Sequence, residues 1–96
     1  MYRVIDGNDT GKTRKLLTEC GTKGIFICAH PERVFDKCRA YNIPAVKAIG
    51  YDDFIYLLVE GQLYNKDDDR PIYIDELEKF VKCCVPYLAG YTLTNE

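Results

Sequence analysis

The sequence predicts an α/β fold: a mainly parallel sheet of four to five strands held between helical layers, in a single domain spanning residues 1–96. Three observations predict it. Short β-branched or apolar runs alternate with stretches of helical periodicity from one end of the chain to the other. No repeat, low-complexity segment or linker breaks that alternation. And 96 residues suffice for one small core, burying roughly 60–65% of the unfolded surface.

The elements follow in order. "YRVI" at 2–5 is short, β-branched and aromatic, and leads into Gly7, as a strand entering a turn does. From Lys12 the pattern becomes helical. Leu16, Leu17 and Cys20 share a face, and Gly21 stands where a C-terminal cap belongs. "GIFICA" at 24–29 is a continuous apolar run, expected of a strand covered on both sides. Pro31 opens a second helix whose Val34, Phe35, Cys38 and Tyr41 form one stripe.

"IPAVKAI" at 43–49 reads as a third strand. The helix after it carries Phe54, Leu57 and Leu58 at helical spacing, with Asp52 or Asp53 suited to its start. The charge run "NKDDDR" at 65–70 reads as a solvated loop. "PIYI" at 71–74 is a fourth strand, its proline tolerated at the first position. Leu77, Phe80, Val81, Cys84 and Leu88 then make the strongest amphipathic pattern in the chain, which Pro86 must kink or shorten. "YTLT" at 91–94 supplies a fifth strand.

Composition narrows the function classes. A formal net charge of -2 lacks the broad basic footprint of a nucleic-acid binder. No apolar run approaches the roughly 20 residues needed to cross a bilayer, and the N-terminus has no signal-peptide pattern. Five cysteines, an odd number with no CxxC pair, indicate neither a disulfide framework nor a zinc site. Cys20, Cys28, Cys38 and Cys84 fall at apolar positions, consistent with small buried hydrophobes in a reducing cytoplasm. His30, the sole histidine, precedes Pro31 and reads as a helix-start residue. With no second histidine and no placed nucleophile, triad chemistry has no support. The eight tyrosines read as packing residues with a wet hydroxyl edge. Tyr51 or Tyr91 could stack on a base, but nothing in the sequence selects them.

Two motifs carry chemistry, both at strand-to-helix junctions, where open α/β sheets bind ligands. In "IDGNDTGKTRKLL", Gly11-Lys12-Thr13 is the closing triplet of a Walker A loop. Such a loop needs inward-pointing backbone N–H groups, a helix N-terminus behind them and a lysine for the phosphate charge. The candidate cradle comprises Gly7, Asn8, Asp9, Thr10, Gly11, Lys12, Thr13 and Arg14, with the Thr13 hydroxyl available for Mg²⁺. Lys12, Arg14 and Lys15 also place three cations in a first helical turn, each costing about 0.3–1 kcal/mol unless an anion is present. Water around exposed charges lowers that cost. Asp6 and Asp9 count against the cradle: Asp6 crowds a turn that glycine would permit, and Asp9 brings negative charge toward the phosphates.

The second motif is Asp75-Glu76 after "PIYI". At the tip of a neighbouring strand, an aspartate can hold Mg²⁺ through water, as a Walker B element does. The glutamate after it can orient and deprotonate the attacking water. Alternatively, Asp75 caps its helix and Glu76 complements the dipole.

The stretches "DGNDTGKTRKLL", "GIFICAHPERVFDKCRAYNI", "YDDF" and "PIYIDELEKF" together resemble small P-loop proteins encoded by bacterial phages and prophages. They are also similar to a pared-down motor core of helicases and phage packaging terminases. There the loop typically reads GGRGTGKT. Gly7, Gly11, Lys12 and Thr13 match it, and Asp6 and Asp9 replace glycines. "FICAHPERV" is similar to the helicase motif after the second strand, and "IGYDDF" to the segment before the acidic strand.

The resemblance implies a minimal P-loop NTPase-like fold that binds ATP and Mg²⁺ through Lys12, Thr13 and Asp75, with Glu76 as the catalytic residue. It implies slow turnover, since a single domain needs a partner to supply an arginine finger, worth roughly 10³–10⁵ in rate. The alternative is a non-catalytic phage-type protein whose degenerate loop binds, regulates or inhibits a host protein. A nucleic-acid-binding motor fragment conflicts with the acidic balance.

Overall fold

The computed structural model describes residues 1–5, 11–61 and 70–94. Its elements run α1 (Lys12–Cys20), β1 (Ile25–Cys28), a 3-10 turn (Pro31–Arg33), α2 (Val34–Ala40), β2 (Lys47–Gly50), α3 (Tyr51–Val59), β3 (Ile72–Ile74) and α4 (Leu77–Cys84). The three strands form a parallel sheet in the order β2-β1-β3.

β1 is central because it can be. All four of its residues are buried, and alternate side chains serve opposite faces. Phe26 and Cys28 pack with Leu17 and Cys20 of α1 and with Val34 and Cys38 of α2. Ile25 and Ile27 pack with Tyr51 and Phe54 of α3, with Phe80 of α4 partly buried against them. Helices therefore cover both faces, and the unbroken apolar run in the sequence is the trace of that double coverage. Gly24 enters β1 where α1 and β3 converge. A Cβ there would lie 2.9 Å from both Cys20 Sγ and a ring carbon of Tyr73, so a glycine is needed.

Helix boundaries follow local chemistry. Gly11 precedes α1 at φ 78°, a left-handed conformation that glycine adopts without strain. Gly21 ends α1, its N–H donating to the Leu17 carbonyl at 3.0 Å. Pro31 starts a 3-10 turn that runs into α2. Asp52 and Asp53 occupy the first turn of α3, where they complement its dipole, and Gly50 precedes them. α4 stops at Cys84, two residues before Pro86, since proline can neither donate nor follow helical backbone.

Two of the five expected strands are absent among the described residues. Residues 2–5 and 91–94 carry no strand, leaving three in place of the expected four to five. The two segments meet through Arg3 Nη1, which donates to the Thr94 carbonyl at 3.1 Å. A strand is a pairing of backbones, and a four-residue run of β-prone residues has little preference without a partner edge. A second correction concerns Cys84. It is exposed, as is Cys83, whereas Cys20, Cys28 and Cys38 are buried as expected. Burial pushes the Cys20 thiol up to about 11 and raises that of Cys28, so both remain inert thiols. No described helix is long and apolar enough to cross a membrane.

Candidate functional site

Parallel pairing puts the C-terminal ends of all three strands on one edge, with Cys28 opposite Gly50 and Ile27 opposite Ile74. The Asp75 N–H continues the ladder, donating to the Ile27 carbonyl at 2.8 Å. That bond fixes the Asp75 side chain at the rim of the sheet, where the N-terminus of α1 also arrives.

There the two motifs meet. Thr13 Oγ1 donates to the Asp75 carboxylate, 3.3 Å from Oδ1 and 3.2 Å from Oδ2, between residues 62 apart in the chain. Lys12 Nζ lies 3.7 Å from Glu76 Oε1. The lysine is 26% exposed and the glutamate 40%, so water screens this pair and it adds little to stability. Its value is positional: it shows that Lys12 and Glu76 reach the same point in space. Asp75 does not cap α4, and no side-chain cap bond is present at that helix start among the described residues.

The Asp75 carboxyl is held above its ordinary value of 3.8, chiefly by burial. The Thr13 hydrogen bond opposes that shift, the Glu76 charge adds to it, and Lys37 and Lys12 lower it. A half-buried carboxyl of this kind gains from a cation placed beside it.

Glu76 has φ 57° and ψ 67°, left-handed backbone that costs a non-glycine residue on the order of 1–2 kcal/mol. This turn ends β3 and starts α4 within two residues. Tyr51 spans it from behind. Its hydroxyl donates to the Asp75 carbonyl at 2.6 Å and lies 3.3 Å from the Glu76 carbonyl. Tyr51 is 7% exposed, and its ring sits edge-on to Phe80 at 5.6 Å. A buried ring cannot stack on a base, which corrects the role the sequence suggested for it. The signal for its actual role was its place as the first residue of a helix, immediately after a strand and a glycine. Tyr91, the other suggested base-stacker, is exposed and donates to Glu78.

The other candidates divide cleanly. Gly7, Asn8, Asp9 and Thr10 lie outside the described residues, as does Asp6. Gly11 is exposed at the head of α1. Arg14 turns its guanidinium over the Tyr41 ring, 5.5 Å from the centroid. An open cleft of about 500 Å³ begins at Gly11 and follows Arg14, Lys15, Thr18 and Glu19 along α1, with Tyr2 opposite. His30 Nδ1 lies 3.3 Å from Glu32 at the surface, in keeping with a helix-start residue.

Among the described residues no group of three or more His, Cys, Asp or Glu could hold a metal. An all-protein cage is not what Mg²⁺ requires. It takes oxygen ligands, keeps several waters, and is held by one or two protein groups together with substrate phosphates. The Thr13 hydroxyl and Asp75 carboxylate fit that habit: they lie within hydrogen-bond reach of each other, so Thr13 would ligate the ion and Asp75 would hold it through a water.

No family model matches this chain, and no curated protein or solved structure matches it either.

Proposed function

We propose that this protein is a small P-loop-like nucleoside-triphosphate-binding protein, taking ATP with Mg²⁺ and hydrolysing it slowly or not at all. The observation that carries the reading is the Thr13–Asp75 hydrogen bond, which joins the GKT triplet to the acidic strand end. Helix capping alone would not bring those two side chains together.

In this reading the α1 N-terminus and Lys12 hold the phosphates, and Thr13 with Asp75 would hold Mg²⁺. When bound, Mg²⁺ supplies charge neutralisation at the phosphate oxygens. Lys12 exchanges its partner, Glu76, for a phosphate oxygen. Glu76, released from Lys12, is then placed to accept a proton from an attacking water. The cleft along α1 meets the phosphate end at Gly11, and in this reading the nucleoside would lie there. Turnover is slow in this reading because a finger from a partner is worth roughly 10³–10⁵ in rate; Arg14 and Arg39 lie over Tyr41 and Phe35.

Thermal denaturation with and without ATP–Mg²⁺ tests the reading. Ligand at 100 times Kd stabilises the native state by about 2.7 kcal/mol. The wild type should show that upward shift in Tm and Lys12→Ala should lose it. Unchanged melting of both proteins would reject nucleotide binding.

A second reading has its own support. Leu77, Val85, Tyr87, Tyr91 and Leu93 are exposed large hydrophobics on and after α4. A protein-binding module that retains the fold, such as one that regulates or inhibits a host protein, would present such a surface. Partner capture that survives both Lys12→Ala and Asp75→Ala would favour it.

A further inference from the structure

We infer that Tyr51 is the positioning residue of the nucleotide–Mg²⁺ site: its hydroxyl, donating to the Asp75 carbonyl and 3.3 Å from the Glu76 carbonyl, sets the strand-to-helix turn that aims both carboxylates at α1. The inference rests on the nucleotide-binding reading and adds a residue that touches neither phosphate nor metal.

Four observations converge on it. The turn needs an external hold, because Glu76 sits in a left-handed conformation that its own side chain disfavours. The hold comes from a rigid group. Tyr51 is buried and belongs to the same apolar cluster as Ile25, Ile27 and Phe54. Its bond to the Asp75 carbonyl is short at 2.6 Å, and the Asp75 N–H is anchored to β1 on its other side. Asp75 is thus gripped at both backbone polar groups, leaving its carboxylate a fixed direction toward Thr13. Finally, α4 adds only a partial restraint: the Phe80 N–H donates to the Glu76 carbonyl at 3.1 Å, but none of the described α4 residues is buried. Tyr51 ties the acidic corner to the core from the far side of β1. A tyrosine suits this place because its ring can be buried while its hydroxyl reaches a backbone acceptor.

Tyr51→Phe keeps the ring and deletes the hydroxyl. Binding of ATP and of inorganic tripolyphosphate is measured calorimetrically in excess Mg²⁺ and again in EDTA, for wild type, Tyr51→Phe and Phe80→Leu. The ratio of affinities with and without Mg²⁺ reports how well the Asp75 carboxylate is placed. Binding in EDTA reports the Lys12 cradle alone.

The expected result is a Mg²⁺ ratio reduced roughly 2- to 10-fold in Tyr51→Phe, the range for one hydrogen bond. EDTA affinity should be unchanged, and Phe80→Leu, which perturbs the same aromatic cluster, should keep the wild-type ratio. A wild-type ratio in Tyr51→Phe overturns the inference while leaving the nucleotide reading intact. So does an equal fall in Phe80→Leu, or a Tyr51→Phe chain that no longer unfolds cooperatively, since either makes the hydroxyl a part of general packing. A wild type that binds neither ligand overturns both.

Discussion

Helices α1 and α4 bring the two halves of the site together, and they are anchored very differently. α1 carries Leu17 and Cys20 fully buried against β1 and α2. α4 has the clearest apolar stripe in the sequence, yet none of its described residues is buried, and Leu77 is 53% exposed. A stripe states which face of a helix is available for burial; how much is covered depends on what the fold lays over it. Behind α1 stand β1 and α2, which bury Leu17 and Cys20. Of the described α4 residues, Phe80 packs on Tyr51 and Phe54. Lys12 and Thr13 therefore ride on a fixed support, whereas Asp75 and Glu76 depend on the β3 ladder and on Tyr51.

The largest expected effect breaks the fixed side. Leu17→Ala removes a fully buried side chain and should destabilise the protein by about 2–5 kcal/mol in urea titration. A loss below about 1 kcal/mol would show that the α1 face is not the better packed one.

The next sharpens the comparison at the acidic corner. Burial raises the Asp75 pKa, so the folded state binds that proton more tightly than the unfolded state does. Its contribution to stability is complete below the ordinary value of 3.8 and is lost as pH rises through the raised folded value. Asp75→Asn removes the titration. The variant should equal or exceed wild-type Tm at neutral pH in the absence of Mg²⁺ and lose that advantage on acidification. In wild type, ATP–Mg²⁺ binding should strengthen with rising pH across the same window, because the metal needs the ionised carboxylate. A Tm difference independent of pH would contradict the assignment.

The smallest effect is on the exposed side. Leu77→Ala should change stability by no more than about 0.5 kcal/mol. A cost of several kcal/mol would mean that Leu77 is covered in solution, and would remove it from the exposed surface on which the protein-binding reading rests.

Much of this was legible in the sequence, and the misses share a cause. Lys12, Gly21, Pro31 and Pro86 mark helix limits through local backbone chemistry, which sequence records directly. The run Ile25–Cys28 marks a doubly covered strand for the same reason. Asp75-Glu76 after an apolar strand, downstream of GKT, pointed to a shared rim, and Thr13 does reach Asp75 there. What could not be read depends on distant partners. Residues 2–5 and 91–94 have strand-like composition but pair with no strand edge among the described residues. Cys84 lies on the α4 stripe, where nothing described covers it. Tyr51 shows only as an aromatic at a helix start until the fold carries its hydroxyl to a carbonyl 24 residues away.

A shared Thr13–Asp75 metal site is tested most directly by a double-mutant cycle, reading Mg²⁺-dependent ATP affinity for Thr13→Ala, Asp75→Ala and the double variant. One shared metal site predicts that the double variant loses little more than the worse single change, a coupling of at least about 0.5 kcal/mol. Losses that simply add, or singles that bind ATP–Mg²⁺ as the wild type does, would contradict it.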